Sequence, residues 1–336
     1  MKNVTVADIA AELGLSRNTV SKVLNGKEVP EKTKKKVLDK AAELNYKNLA
    51  YQNNRPYRIL LLSGKPLTNF NFFIPIIRTL ENLCFDSGHQ LYQYVYDPDT
   101  NNETQLTEYI KANKFDGIIC IEAFHTSFMK TLIKCNVPTV FLDSSINVYY
   151  QDTFDVVIQD NFTPIKQEMT RLIEKGIKTF GFVGDARHCL SFRERYEAML
   201  ITIGKHDLVH HSSMDFLYPD KSEFYNDKSF LVKEIRNKGE LCQCYICAND
   251  YVAKVFLSGL KALGIRCPQD VKLMGFDGAI EPVVSHPTIT TARVSSREYG
   301  LTLYETLILR IRLKDMVKTK VSVGATLVPQ ESTYCE

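Results

Sequence analysis

The sequence predicts a small all-α helix-turn-helix head joined to a larger α/β body of two lobes with parallel, doubly wound sheets. Apolar residues recur at helical spacing through residues 1–47. From Ile59 onward, short strand-like runs alternate with helix-length amphipathic segments. Residues 59–336 are also too many for one doubly wound sheet of ordinary size, which implies two lobes with a cleft between them.

Three groups of apolar residues define the head: Val6, Ile9, Ala10 and Leu13, then Val20, Val23 and Leu24, then Val37, Leu38, Ala41 and Leu44. Thr5 suits a helix N-cap with Asp8 three residues on, Gly14 suits a left-handed C-cap, and Ser16 can cap the next helix. Two helices joined by so short a turn form a helix-turn-helix, whose second helix can enter a major groove. Residues 48–58, NLAYQNNRPYR, carry two adjacent Asn and a Pro with little periodicity, and read as a linker.

The body follows as residues 59–336. Its strand-like runs are ILLLS (59–63), DGIICI (116–121), PTVFL (138–142), FDVVI (154–158), TFGFVG (179–184), CYICA (244–248) and VKLMGF (271–276). The lobes are expected over residues 59–157 with 289–320, and 158–288 with 321–336.

Composition narrows the function. A hydrophobic share of 44% and a charged share of 24% are ordinary for a soluble protein, and no apolar run is long enough to cross a bilayer. Asp8 and Glu12 interrupt the first apolar stretch, so a secretory signal is not expected and the chain is placed in the cytoplasm. The nine cysteines are then read as reduced core thiols. Net charge is +3, yet residues 1–58 hold 12 Lys or Arg against 6 Asp or Glu, and so carry a basic excess that suits a polyanion.

Enzyme and metal readings find little support. There is no Walker loop, nucleophile elbow or HExxH pattern. Cys242, Cys244 and Cys247 lie in an expected buried strand without a second ligand pair, and adjacent His210 and His211 would point to opposite faces of a strand. No cofactor or metal is expected, and no catalytic residue is assigned.

The second helix carries the reading chemistry. With Val20, Val23 and Leu24 turned inward, Arg17, Asn18, Ser21, Lys22 and Asn25 are left on the outer face. Arg and Lys donate to guanine O6 and N7, Asn bonds adenine bidentately, and the hydroxyls of Ser16, Thr19 and Ser21 suit phosphate oxygens. An ordinary capped surface helix would show similar polarity, so the coincidence of cap, turn and charge matters more than any one residue.

The segment VTVADIAAELGLSRNTVSKVLNGKEVPEKTKKKVLDKAAELNY closely resembles the DNA-binding head of the lactose-repressor (LacI/GalR) family from Val4 to Tyr46. That resemblance implies base reading by Arg17, Asn18 and Lys22, and phosphate contacts by Thr5, Ser16, Thr19, Ser21, Asn25, Thr33 and Tyr46. Each such head reads few base pairs, so a homodimer on a pseudo-palindromic double-stranded operator is expected. The sequence departs from the family beyond Tyr46. Only thirteen positions separate Tyr46 from Ile59, and Leu49 is the one leucine available to a minor-groove hinge helix.

The body resembles the family more weakly, which implies a periplasmic-binding-protein-like fold closing on a small molecule. The resemblance rests on NFNFFIPIIRTLE (69–81), FLD (141–143), SFRERYEAM (191–199), CANDYVA (247–253), GFDG (275–278) and HPTITTARV (286–294). These segments follow expected strands, where open α/β sheets bind ligands. Asp143, Asn249 and Asp277 suit the hydroxyls of a sugar-like effector, Arg193 and Arg195 can fork across oxygens, and Phe73 can stack on a ring. Each has a plainer alternative: Asn249 as a helix cap, Asp277 as a turn brace, the arginines as surface charges and Phe73 as core. The expected function is a repressor controlled by a small molecule. A sugar-responsive activator and a ligand-binding protein without a regulatory role are the alternatives.

Overall fold

A computed structural model describes residues 4–24, 27, 29–44, 46, 55–64, 70–96, 103–124, 126–146, 153–218, 227–278, 286–313 and 316–335. The chain divides into two compact units, Met1–Tyr57 and Arg58–Glu336.

The first unit contains α1 (Val6–Leu13), α2 (Arg17–Leu24) and α3 (Glu31–Glu43). Thr5 and Asp8 close a reciprocal capping box on α1, and Gly14 ends it at φ 62°, a left-handed value that glycine adopts without a Cβ penalty. Ser16 accepts from the Thr19 amide at 3.0 Å and so holds the first turn of α2. Ile9, Val20, Leu24, Val37 and Ala41 meet in one small core, which Tyr46 helps to close.

In the second unit, six parallel strands lie in the order β10, β5, β4, β3, β1, β2. Their ranges are β1 Arg58–Gly64, β2 Gln90–Tyr96, β3 Gly117–Ile121, β4 Thr139–Leu142, β5 Asp155–Gln159 and β10 Lys320–Val323. Helices α4 (Phe70–Asp86), α5 (Glu103–Asn113), α6 (Thr126–Cys135) and α11 (Ser296–Arg312) accompany this sheet. In β1, Ile59 to Leu62 are all buried, as expected for a parallel strand covered on both faces. The order reverses between β1 and β3, the position at which such sheets open a ligand crevice. The backbones approach closely there, since a Cβ on Gly64 would stand 2.1 Å from the Glu122 carbonyl oxygen.

A second parallel sheet holds β6 (Phe180–Val183), β7 (Cys244–Cys247) and β8 (Lys272–Met274). Helices α7 (Thr163–Glu174), α8 (Leu190–Lys205), α9 (Lys228–Lys238) and α10 (Asp250–Ala262) belong to this lobe, while β9 (Thr291–Val294) and β11 (Ala325–Val328) form an antiparallel pair. Phe182, Tyr245, Phe216 and Phe256 are fully buried in its core. Cys244 and Cys247 sit in the same core, where burial pushes both thiols far above their ordinary range.

Strand pairing moves the expected lobe boundaries at 157/158, 288/289 and 320/321. The first sheet keeps β5 to Gln159 and β10 to Val323, whereas β9 sits beside the second sheet through the Met274–Thr290 and Asp277–Arg293 bridges. A buried ion pair explains why β10 stays with β5. Arg310 donates to Asp155 at 2.6 and 2.7 Å, and Asp155 also accepts the Thr319 amide at 2.7 Å just before β10. Strand β2 escapes a reading based on buried runs because it is a half-exposed edge strand.

Candidate functional site

The head presents a polar face on α2. Val20, Val23 and Leu24 are buried, while Arg17, Asn18 and Lys22 are exposed and make no side-chain hydrogen bond or ion pair among the described residues. Ser16 and Thr19 share a hydroxyl–hydroxyl contact of 2.8 Å, and Ser21 and Thr33 are half-exposed. Thr5 is exposed, and its side chain is already engaged by Asp8. Tyr46 has a duty that sequence reasoning missed, because its ring packs into the head core. Asn25 and residues 47–54, including Leu49, lie outside the described residues.

From Arg17, Asn18 and Lys22 such a face can donate several hydrogen bonds to base edges and phosphates without first breaking internal ones among the described residues. Among the described residues, its cations lack carboxylate partners, so an approaching phosphate meets little competition.

In the body, the second arginine of the SFRER segment organises a buried polar cluster. Arg195, 1% exposed, donates from Nε to Asn161 Oδ1 at 2.9 Å, from Nη1 to the Ala248 carbonyl, and from Nη2 to Asp277 Oδ1 at 3.3 Å. Its guanidinium lies 3.8 Å from the centroid of the Phe276 ring. Strand ends place these partners: Asn161 follows β5, Ala248 follows β7, and Asp277 lies just beyond β8.

Asp143, just past β4, holds the two lobes together. Its Oδ1 accepts the Ser144 amide at 2.6 Å and the Ser191 amide of α8 at 3.3 Å, and the Leu190 amide donates to the Ser144 carbonyl at 2.8 Å. Asp143 and Asp277 adopt positive φ values of 56° and 101°. Strained backbone at two non-glycine residues of one cluster is characteristic of functional sites. The Asp277 carboxyl is pushed up to about 6, chiefly by burial, with Arg195 opposing the rise and Asp143 adding to it. Burial likewise raises Asp143, against the hydrogen bonds from Ser144, Cys189 and Ser191.

Of the six ligand residues expected from sequence, Asp143, Arg195 and Asp277 converge on this cluster. Asn249 caps α10 through its Oδ1, which accepts the Val252 amide at 2.9 Å. Arg193 stays outside, its side chain 44% exposed and paired with Glu197 at 2.6 Å one helical turn away. Phe73 is 7% exposed and packs edge-on against Phe72, so its ring is part of the core.

Sequence reasoning missed Asn161, Glu194 and Tyr299. Asn161 is fully buried; it accepts from Arg195 and donates to Glu194 at 2.8 Å. Tyr299 of α11 is buried with its hydroxyl on the Val157 carbonyl, and its ring meets Phe72. An asparagine directly after a buried strand was the available signal for the first. Nothing in local sequence marked Tyr299.

An exposed donor face on a helix-turn-helix, carried with a two-lobed body whose polar cluster spans the strand ends, defines a DNA-binding regulator with a ligand-binding domain. Comparison with known proteins agrees. Residues 5–48 match the bacterial regulatory proteins of the lacI family, and residues 169–333 match the periplasmic binding protein-like domain. The chain is 25% identical to the HTH-type transcriptional regulator RegA of Clostridium saccharobutylicum, over 98% of this chain and 99% of RegA. It is 26% identical to the HTH-type transcriptional regulator GntR of Escherichia coli K12, over 98% of each. In structure it is similar to the transcriptional regulator CelR in complex with cellobiose, with a TM-score of 0.73 at 20% identity over 98% of this chain and 100% of that one. It is also similar to the lac repressor dimer bound to operator and the anti-inducer ONPF, with a TM-score of 0.67 at 20% identity over 99% and 100%. Residues 5–48 thus carry a lacI-family DNA-binding domain, and over nearly its whole length the chain is similar to HTH-type transcriptional regulators.

Proposed function

We propose that this chain is a cytoplasmic repressor that binds a pseudo-palindromic operator as a homodimer and changes its grip when a sugar-class effector occupies the interlobe site. The exposed face of α2 carries the DNA half of this reading: Arg17, Asn18 and Lys22 face solvent on a helix whose opposite side is locked into the head core. Relatives named repressors and a lac repressor dimer solved on operator support the sign and the dimer. Complexes with cellobiose, D-xylulofuranose and ribose support the effector class.

Within this reading, Lys22 reads a base edge while Thr19, tied to Ser16, serves the phosphates. Binding to an operator and its single-base variants tests the assignment. Lys22→Ala relaxes preference at one position by about 1–3 kcal/mol, whereas Thr19→Ala weakens all sites alike. A uniform loss in both variants contradicts it.

A further inference from the structure

The polar cluster carries more negative charge than it neutralises. Asp143, Glu194 and Asp277 supply three carboxylates around a single buried cation, Arg195. The next arginine along α8, Arg193, is already paired with Glu197. Glu194 is half-buried, and among the described residues its one hydrogen bond is from the Asn161 amide. Burial raises its carboxyl above the ordinary range, Asp143 and Glu197 raise it further, and the Asn161 hydrogen bond and Arg195 act the other way.

Beside Glu194 opens a cavity of about 140 Å³, lined also by Gln159, Asp160, Asn161, Lys320 and Ser322. Asp160 and Lys320 cancel formally, which leaves Glu194 to share its counter-charge, Arg195, with Asp143 and Asp277. Gln159 is 3% exposed, and its Oε1 has no hydrogen-bond partner among the described residues. A buried amide oxygen left unpaired is costly, and so is a carboxylate partly removed from water whose counter-ion is shared with other carboxylates. A donor that carries positive charge relieves both. The cavity is too small for a whole sugar by the usual pocket size of about 300 Å³ or more, but it suits an ammonium group.

We propose that the interlobe site takes a hydroxylated ligand bearing a protonated amine, as in the amino sugars, with the ammonium held between Glu194 and Gln159. This rests on the reading of the cluster as the effector site. Asp143 and Asp277 accept the ligand's hydroxyls, and the excess of carboxylates repels sugar acids and sugar phosphates. The cavity lies where β5 and β10 leave the first sheet and meets α8 of the second lobe through Glu194, so the bound ammonium also bridges the lobes.

Calorimetric titration of the full chain at neutral pH tests this with glucose, galactose and mannose, each as the neutral sugar, the 2-amino sugar and the uronate. The amino form of at least one sugar binds about tenfold or more tighter than its neutral form, as a charge-assisted hydrogen bond requires, and its uronate binds weakest. Glu194→Gln, whose amide oxygen still accepts from Asn161, removes most of that ratio. In the unaltered chain the same ratio collapses as pH rises past the amine's own pKa, a check independent of how the variant folds. If a neutral sugar or uronate binds as well as the amino form, the charge assignment is overturned and the effector reading stands. If no member of the panel binds, both fall.

Discussion

On α2 of the head, Arg17, Asn18 and Lys22 stand in solvent, whereas in the interlobe cluster all three guanidinium nitrogens of Arg195 are engaged by protein acceptors. The reading side chains of the head are preorganised for their partner because Arg17, Asn18 and Lys22 hold no side-chain bond among the described residues that DNA would have to break. The cluster is closed on itself, so a ligand must exchange its own groups for the existing contacts of Asp143 with Ser191 and of Arg195 with Asn161 and Asp277. An exchange of that kind is what allows a small molecule to favour one lobe arrangement over another.

The contrast is sharpened most by removing Arg195. Arg195→Ala leaves Asp277 and Asn161 buried without their partner, and should lower the unfolding free energy of the body by about 3–5 kcal/mol in a urea titration. A loss below about 1 kcal/mol would show that the cluster is not held by this residue.

Acid titration tests the same cluster from its other partner. Asp277 has a folded pKa of about 6 against an ordinary 3.8, so the folded chain retains a proton that the unfolded chain releases. The stability this group contributes is fully present below 3.8 and is lost as pH rises to about 6. Asp277→Asn should therefore flatten the fall in stability across that window by on the order of 3 kcal/mol relative to the unaltered chain. Parallel pH profiles in the two proteins would remove Asp277 from the account.

The smallest effect belongs to the arginine that sequence reasoning grouped with Arg195. Arg193→Ala breaks a half-exposed pair one helical turn apart and should cost no more than about 0.5 kcal/mol, with effector affinity unchanged. A tenfold loss of effector affinity would restore Arg193 to the site.

These two arginines show where sequence stops informing. Both lie in one SFRER segment, and only the fold decides that Arg195 turns inward toward the ends of β5, β7 and β8 while Arg193 meets Glu197. The head was legible almost residue by residue because its signals are local: a capping box, a glycine at the left-handed C-cap, and apolar spacing within single helices. The cluster was legible in part, because chain order marks strand ends without showing which of them meet in space. Tyr299 lies 142 positions from Val157, the residue it touches. The membership of β10 in the first sheet likewise rests on a pair between Asp155 and Arg310, 155 positions apart.

Operator binding at the open face and ligand binding at the closed cluster are expected to be thermodynamically coupled. The most direct test is operator affinity of the full chain by fluorescence anisotropy, with and without a saturating concentration of the sugar that binds it most tightly. A change in operator Kd of about fivefold or more, matched by an equal change in sugar affinity when operator is present, is the predicted result. A sugar that binds tightly and leaves operator Kd unchanged would contradict it.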